Sequence, residues 1–136
     1  MDGKLSKFIE ALDHPDATYR REAIWQVGQR GAVEVVPRLR AMLLDKEEDP
    51  YVKSEAIRAL RKIPGEAAAH ALLKAVEPSF PWTVRLQAVY GLAERHSSSG
   101  QSRLARLARQ DKNPTLRRAA AEALEALRRP RAAPYD

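Results

Sequence analysis

The side chains of this chain that could do chemistry are mostly cations, and the spacing of the others excludes most catalysis. His14, His70 and His96 stand far apart with no paired ligand spacing, and there is no cysteine. No metal site, disulfide or thiol nucleophile is therefore expected. Ser97, Ser98, Ser99 and Gly100 lack the lysine and the glycine spacing of a phosphate loop, and no serine occupies a nucleophile elbow. That run reads as a flexible linker; no cofactor and no enzymatic activity are expected. What remains is electrostatic recognition. Arg38 with Arg40 beside it, then His70 and Lys74, then Arg103 and Arg106 fall on the polar sides of three successive helical segments, with Lys4 and Lys7 before them. The net charge is +6 and the isoelectric point about 9.9. A solvated helix face is the plain alternative for such a stripe. Glu34 and Glu66 lie in first turns, where carboxylates meet the positive end of the helix dipole, so the middle of the stripe should hold bases and no acids.

The elements that must position these residues repeat. A proline, a basic residue, an alanine three positions on and an aliphatic residue four further recur as Pro15/Arg20/Ala23/Val27, Pro50/Lys53/Ala56/Leu60, Pro81/Arg85/Ala88/Leu92 and Pro114/Arg117/Ala120/Leu124. The alanines recur every 32 or 33 residues, a period of stacked helical units that bury their faces against neighbours. The apolar spacing predicts a lone helix over Lys4 to Leu12. Helix pairs follow over Thr18 to Gln29 with Val33 to Leu44, Tyr51 to Ile63 with Glu66 to Val76, and Thr83 to Arg95 with Gln101 to Gln110. A last first-type helix runs from Thr115 to Arg129. Breaks are expected at Gly28 to Gly31, at Pro64 and Gly65, and at the His96 to Gly100 linker. The repeat domain is 1–129, followed by a flexible tail, 130–136.

At about 100° per residue, the basic residue, the alanine and the aliphatic residue of each first helix share the buried stripe. Arg20, Lys53, Arg85 and Arg117 must then have covered stems and paired ends, with turn carboxylates such as Asp16, Asp49 and Asp111 as partners. Asp13, Asp16, Asp49 and Asp111 also lie just before helix starts, where carboxylates cap free N–H groups. Position 25 lies about 150° from the stripe's centre. Its equivalents are Arg58, Tyr90 and Glu122, so Trp25 and Tyr90 are expected to be exposed and able to anchor an interface.

Laid out this way, the chain resembles the HEAT-repeat superfamily, and within it the short bacterial HEAT-like repeats named after phycobilisome lyases. The resemblance rests on DPYVKSEAIRAL (49–60), PWTVRLQAVYGL (81–92), NPTLRRAAAEAL (113–124) and the second-helix run EVVPRLRAMLL (34–44). Repeat one, HPDATYRREAIWQVG, carries two extra residues between Pro15 and Arg20. The resemblance implies an all-α, right-handed α-solenoid of antiparallel helix pairs, about four repeats with incomplete ends. Its second helices would line the concave face and make that groove basic.

The expected function is a non-catalytic scaffold whose concave face, through Arg38, Arg40, His70, Lys74, Arg103 and Arg106, engages an acidic protein partner, with Trp25 and Tyr90 as a second contact outside. Nucleic-acid binding is the alternative, drawn from the isoelectric point and from Arg128, Arg129 and Arg131. The second helices carry no Trp or Tyr, which departs from the groove aromatics of HEAT-like DNA glycosylases. A third reading is phycobilin-lyase-like chromophore handling, after the namesake family. No stretch approaches the roughly 20 apolar residues of a membrane span and none reads as a signal peptide, so a cytoplasmic protein without membrane contact is expected. The last first-type helix lacks a second helix, so its end is expected to be covered by the tail, by another copy in an end-to-end homo-oligomer, or by the partner.

Overall fold

A computed structural model describes residues 3–129. Its helices are α1 (Gly3–Ala11), α2 (Ala17–Gln29), α3 (Val36–Leu44) after a 3-10 turn at Val33–Val35, α4 (Pro50–Lys62), α5 (Glu66–Ala75), α6 (Trp82–Ala93), α7 (Ser98–Gln110) and α8 (Pro114–Arg128). There is no strand among the described residues, and the tail expected from residue 130 lies outside them. No described helix is long and apolar enough to cross a membrane.

The helices form an all-α solenoid of two layers. In the first layer α2 packs on α4, α4 on α6 and α6 on α8; in the second, α3 packs on α5 and α5 on α7. Contacts of α1 with α2, α3 with α4, α5 with α6 and α7 with α8 join the layers. Ala23, Ala56, Ala88 and Ala120 are buried at these junctions together with Val27, Leu60 and Leu92, the close-approach column that the repeat predicts. Large side chains such as Ile24, Leu39, Ile57 and Leu72 are wholly covered. Each stabilises the stack by about 1.5–3 kcal/mol through burial.

Helix starts show why the register holds although repeat one has extra residues. The N-caps are Asp16, Asp49, Pro81 and Asn113, and the ladder base always follows four residues later. Asp16 accepts from the Thr18 N–H at 2.8 Å, Asp49 from Tyr51 at 2.7 Å, and Asn113 from Thr115 at 2.8 Å. Pro15 therefore lies outside α2 and Pro81 caps α6, whereas Pro50 and Pro114 open their helices, where a missing N–H costs nothing.

Three expectations are corrected. Gly28 is inside α2, and the break comes at Gly31, whose φ of 61° suits a glycine. The first turn of the second helix in repeat one is 3-10 rather than α. Finally, Ser98 to Gly100 are helical: Ser97 is the N-cap and its hydroxyl accepts from the Gly100 N–H at 3.1 Å. A serine ahead of a helix acts as a cap before it acts as a linker.

Candidate functional site

The ladder bases are mainly structural. Arg20 is paired with Glu48, Nη2 to Oε1 at 2.7 Å and Nε to Oε2 at 3.2 Å, and also donates to the carbonyls of His14 and Pro15. The hydrogen bond to Glu48 outweighs burial and raises the Arg20 pKa above its ordinary value. Arg85 is the one buried charged residue among those described. It forks onto Asp111, with Nη1 to Oδ2 at 3.3 Å and a shorter second contact, and donates Nε to the Val76 carbonyl at 2.8 Å. Burial pushes Asp111 up, but hydrogen bonds from Arg85 and the Asn113 N–H, with the nearby charges of Arg85 and Arg117, bring its pKa below the ordinary value. Arg117 donates to the Asp111 carbonyl at 2.8 Å. Glu48 thus takes the pairing role expected of Asp49, which is occupied as a cap. Lys53 makes no ion pair among the described residues; the chain before α6 is Pro78, Ser79, Phe80, with no carboxylate at the matching place.

On the second layer, Arg38 pairs with Asp13 and Lys74 Nζ meets Glu77 Oε2 at 2.9 Å. His70 Nε2 lies 3.9 Å from Glu66, and Arg103 donates to the Leu73 carbonyl at 3.3 Å. The stripe's middle is therefore not free of acids: Glu77 follows α5 by two residues and folds against Lys74. Arg40 and Arg106 are exposed and make no ion pair among the described residues. Arg103 and Arg106 border a depression of about 320 Å³ with Val76, Pro78 and Leu107 at the α5/α7 side, where Glu77, paired with Lys74, and Asp111, paired with Arg85, also line it.

On the first layer, Trp25 and Tyr90 are exposed, by 43% and 41%, as position 25 predicts. Trp25 walls a groove of about 520 Å³ that runs over α2 and α4 to the end of α6, bordered also by Glu55, Arg58, Arg61, Lys62 and Glu94. Its floor is a close helix contact: a Cβ added to Gly28 would lie 2.8 Å from Ala59 Cβ. The Gln29 amide, oriented to satisfy its neighbours, accepts from Trp25 Nε1 at 3.2 Å and from Lys62 Nζ. The two predicted sets, basic stripe and aromatics, thus lie on separate layers. Sequence reading missed Glu55, Arg61 and Lys62, although Gly28, Arg61 and Ala93 occupy one repeat position and their difference was visible. Arg95 also went unread: it donates to the Leu60 carbonyl at 2.7 Å, to Gly65 at 3.1 Å and to Ile63. Burial lowers its pKa against the opposing charges of Glu94 and Glu66.

No group of histidine and carboxylate side chains that could hold a metal ion occurs among the described residues. A family model described as HEAT repeats matches residues 5–79 and 69–135. A protein of Pseudanabaena tenuis, named uncharacterized phycocyanin operon protein Z, is 32% identical over 90 residues, covering 66% of this chain and 43% of its own length. The chain thus spans less than half of that relative.

Proposed function

We propose, because the chain belongs to the HEAT-repeat family, that it is a non-catalytic scaffold that binds an acidic segment of a protein partner along its second layer. Repeats of this kind present long surfaces rather than enclosed reaction sites. The observation that carries the reading is the α7 side of that layer, where Arg106 is exposed without an ion pair among the described residues and Arg103 stands beside apolar Val76, Pro78 and Leu107. Cations next to apolar surface suit a segment that offers carboxylates and an aliphatic side chain together. Arg40 extends the positive surface, while Arg38, His70 and Lys74 have carboxylates near them and contribute less.

The test is titration of a fluorescent acidic peptide. Lys74→Glu with Arg106→Glu should weaken binding at least about tenfold without changing the melting temperature. Unchanged affinity removes the second layer as the binding surface. Duplex DNA that binds better than the peptide, with a steep loss on adding salt, would favour nucleic acid instead. Chromophore handling is a second reading, favoured by similarity to the phycocyanin operon protein. An unaltered bilin absorption spectrum on adding the protein discards it.

A further inference from the structure

The charge of the chain is confined to one end. Residues 1–94 hold 14 lysines and arginines against 14 aspartates and glutamates, so the net charge of +6 belongs entirely to the residues after them. Within the described part of that end, 95–129, nine lysines and arginines stand against three carboxylates. Between Arg95 and Ala121 the one carboxylate is Asp111, which is 6% exposed and held by Arg85.

Three of these cations are already engaged: Arg95, Arg103 and Arg117 donate to backbone carbonyls. Arg106, Arg109, Lys112 and Arg118 are exposed and make no ion pair among the described residues. The fold strings these four together. Arg103, Arg106 and Arg109 each turn about 60° further around α7, away from the α5 side that Arg103 touches through the Leu73 carbonyl. Lys112 stands in the short turn between α7 and α8, and Arg118 follows in the second turn of α8. Its repeat equivalent, Arg21, lies over the Tyr51 ring of the next helix in the layer. After α8 no such helix follows among the described residues, so Arg118 is on the open end of the stack. Carboxylates bound the run on both sides. Glu77, held by Lys74, stands beside Arg106, and exposed Glu122 and Glu125 follow Arg118 along α8.

These limits set the kind of partner. Packed helices are about 8–10 Å apart, so one helix spacing with a side chain on each side makes the run roughly 15 Å long. An extended segment of about four or five residues covers that length. The phosphates of a nucleic-acid duplex continue past such a patch and meet Glu122 and Glu125, whereas a protein segment can end its carboxylates there. No Trp or Tyr lies between 95 and 129 to stack the bases of a single strand.

We infer that the acidic segment docks around the α7/α8 turn, as a compact run of about four or five carboxylates that crosses from the second layer onto the open end. The inference rests on the scaffold reading above and narrows it from the whole layer to one end.

The test is fluorescence anisotropy of the full chain with two labelled peptides of equal charge. One has five consecutive glutamates; the other spreads five glutamates at every third position, with glycine and serine between. The compact peptide should bind about tenfold more tightly than the spread one. Arg109→Glu with Arg118→Glu should weaken it at least about tenfold, and Arg109→Gln with Arg118→Gln should weaken it less, in the same direction. Should the first pair not fold, as judged by its melting curve, the glutamine pair decides. Arg40→Glu with Lys74→Glu should change the affinity by less than about twofold. Full affinity in the Arg109 and Arg118 variants, equal loss in the Arg40 and Lys74 variant, or equal binding of the two peptides overturns the inference and leaves the layer reading standing. Failure of both peptides to bind overturns the two together, as does tighter binding of duplex DNA than of the compact peptide.

Discussion

Arg85 and Asp111 are 26 residues apart in sequence and meet as a forked pair between α6 and the turn that starts α8, their side chains 8% and 6% exposed. The pair is a structural tie between repeats three and four. Removing one partner from a covered pair leaves the other charge uncompensated, so Asp111→Ala should cost about 3–5 kcal/mol in urea unfolding.

Acid should loosen the same tie. The Asp111 carboxyl has a pKa below its ordinary value in the folded chain, so the folded state holds its proton less tightly than the unfolded state. Its contribution is present above the unfolded pKa of about 3.9 and is lost as pH falls through the lower folded value. Unfolding free energy measured from pH 6 down to pH 2 should fall less steeply in Asp111→Asn than in the wild type. Parallel curves would disprove the linkage.

The ladder is uneven, and substitutions should reveal it. Lys53 has no ion pair among the described residues, so Lys53→Met should change stability by less than about 0.5 kcal/mol. Arg85→Met strands Asp111 and leaves the Val76 carbonyl without its donor, at a cost of about 3 kcal/mol or more. Equal losses at the two sites in thermal unfolding would refute the distinction.

Gly28 is required by the contact with Ala59. Gly28→Ala should overpack that point and cost about 1–3 kcal/mol. Ala59→Gly in the same chain should recover part of the loss, and a double-mutant cycle would show the coupling.

Ser97 caps α7 through its hydroxyl. Ser97→Ala should cost about 1 kcal/mol and speed amide exchange first in the opening turn of α7. Unaltered exchange there would return the segment to the linker role.

Much of this architecture is legible in the repeat. Helical arithmetic places the alanine column, the exposed Trp25 and Tyr90 and the four helix starts, because each follows from position along one helix. The misses concern neighbours with equal claims on a role. Glu48 and Asp49 are adjacent carboxylates, and only backbone direction decides that Asp49 caps while Glu48 pairs. Glu77 lies beyond the end of α5, so no helical wheel puts it beside Lys74. The Gly28 groove is a difference between repeats, and reading for periodicity averages such differences away.

The arginine ties also set an order in time. Arg20 is answered by Glu48, Arg61 by Glu94 and Arg85 by Asp111, each about one repeat later, and the last carbonyls of α4 are covered by Arg95, up to 35 residues downstream. While the chain is being synthesised, repeats one to three therefore each wait for the following repeat before these arginine ties can form. The stack closes one unit behind the growing end, and a ribosome that pauses within repeat three leaves repeat two unfinished.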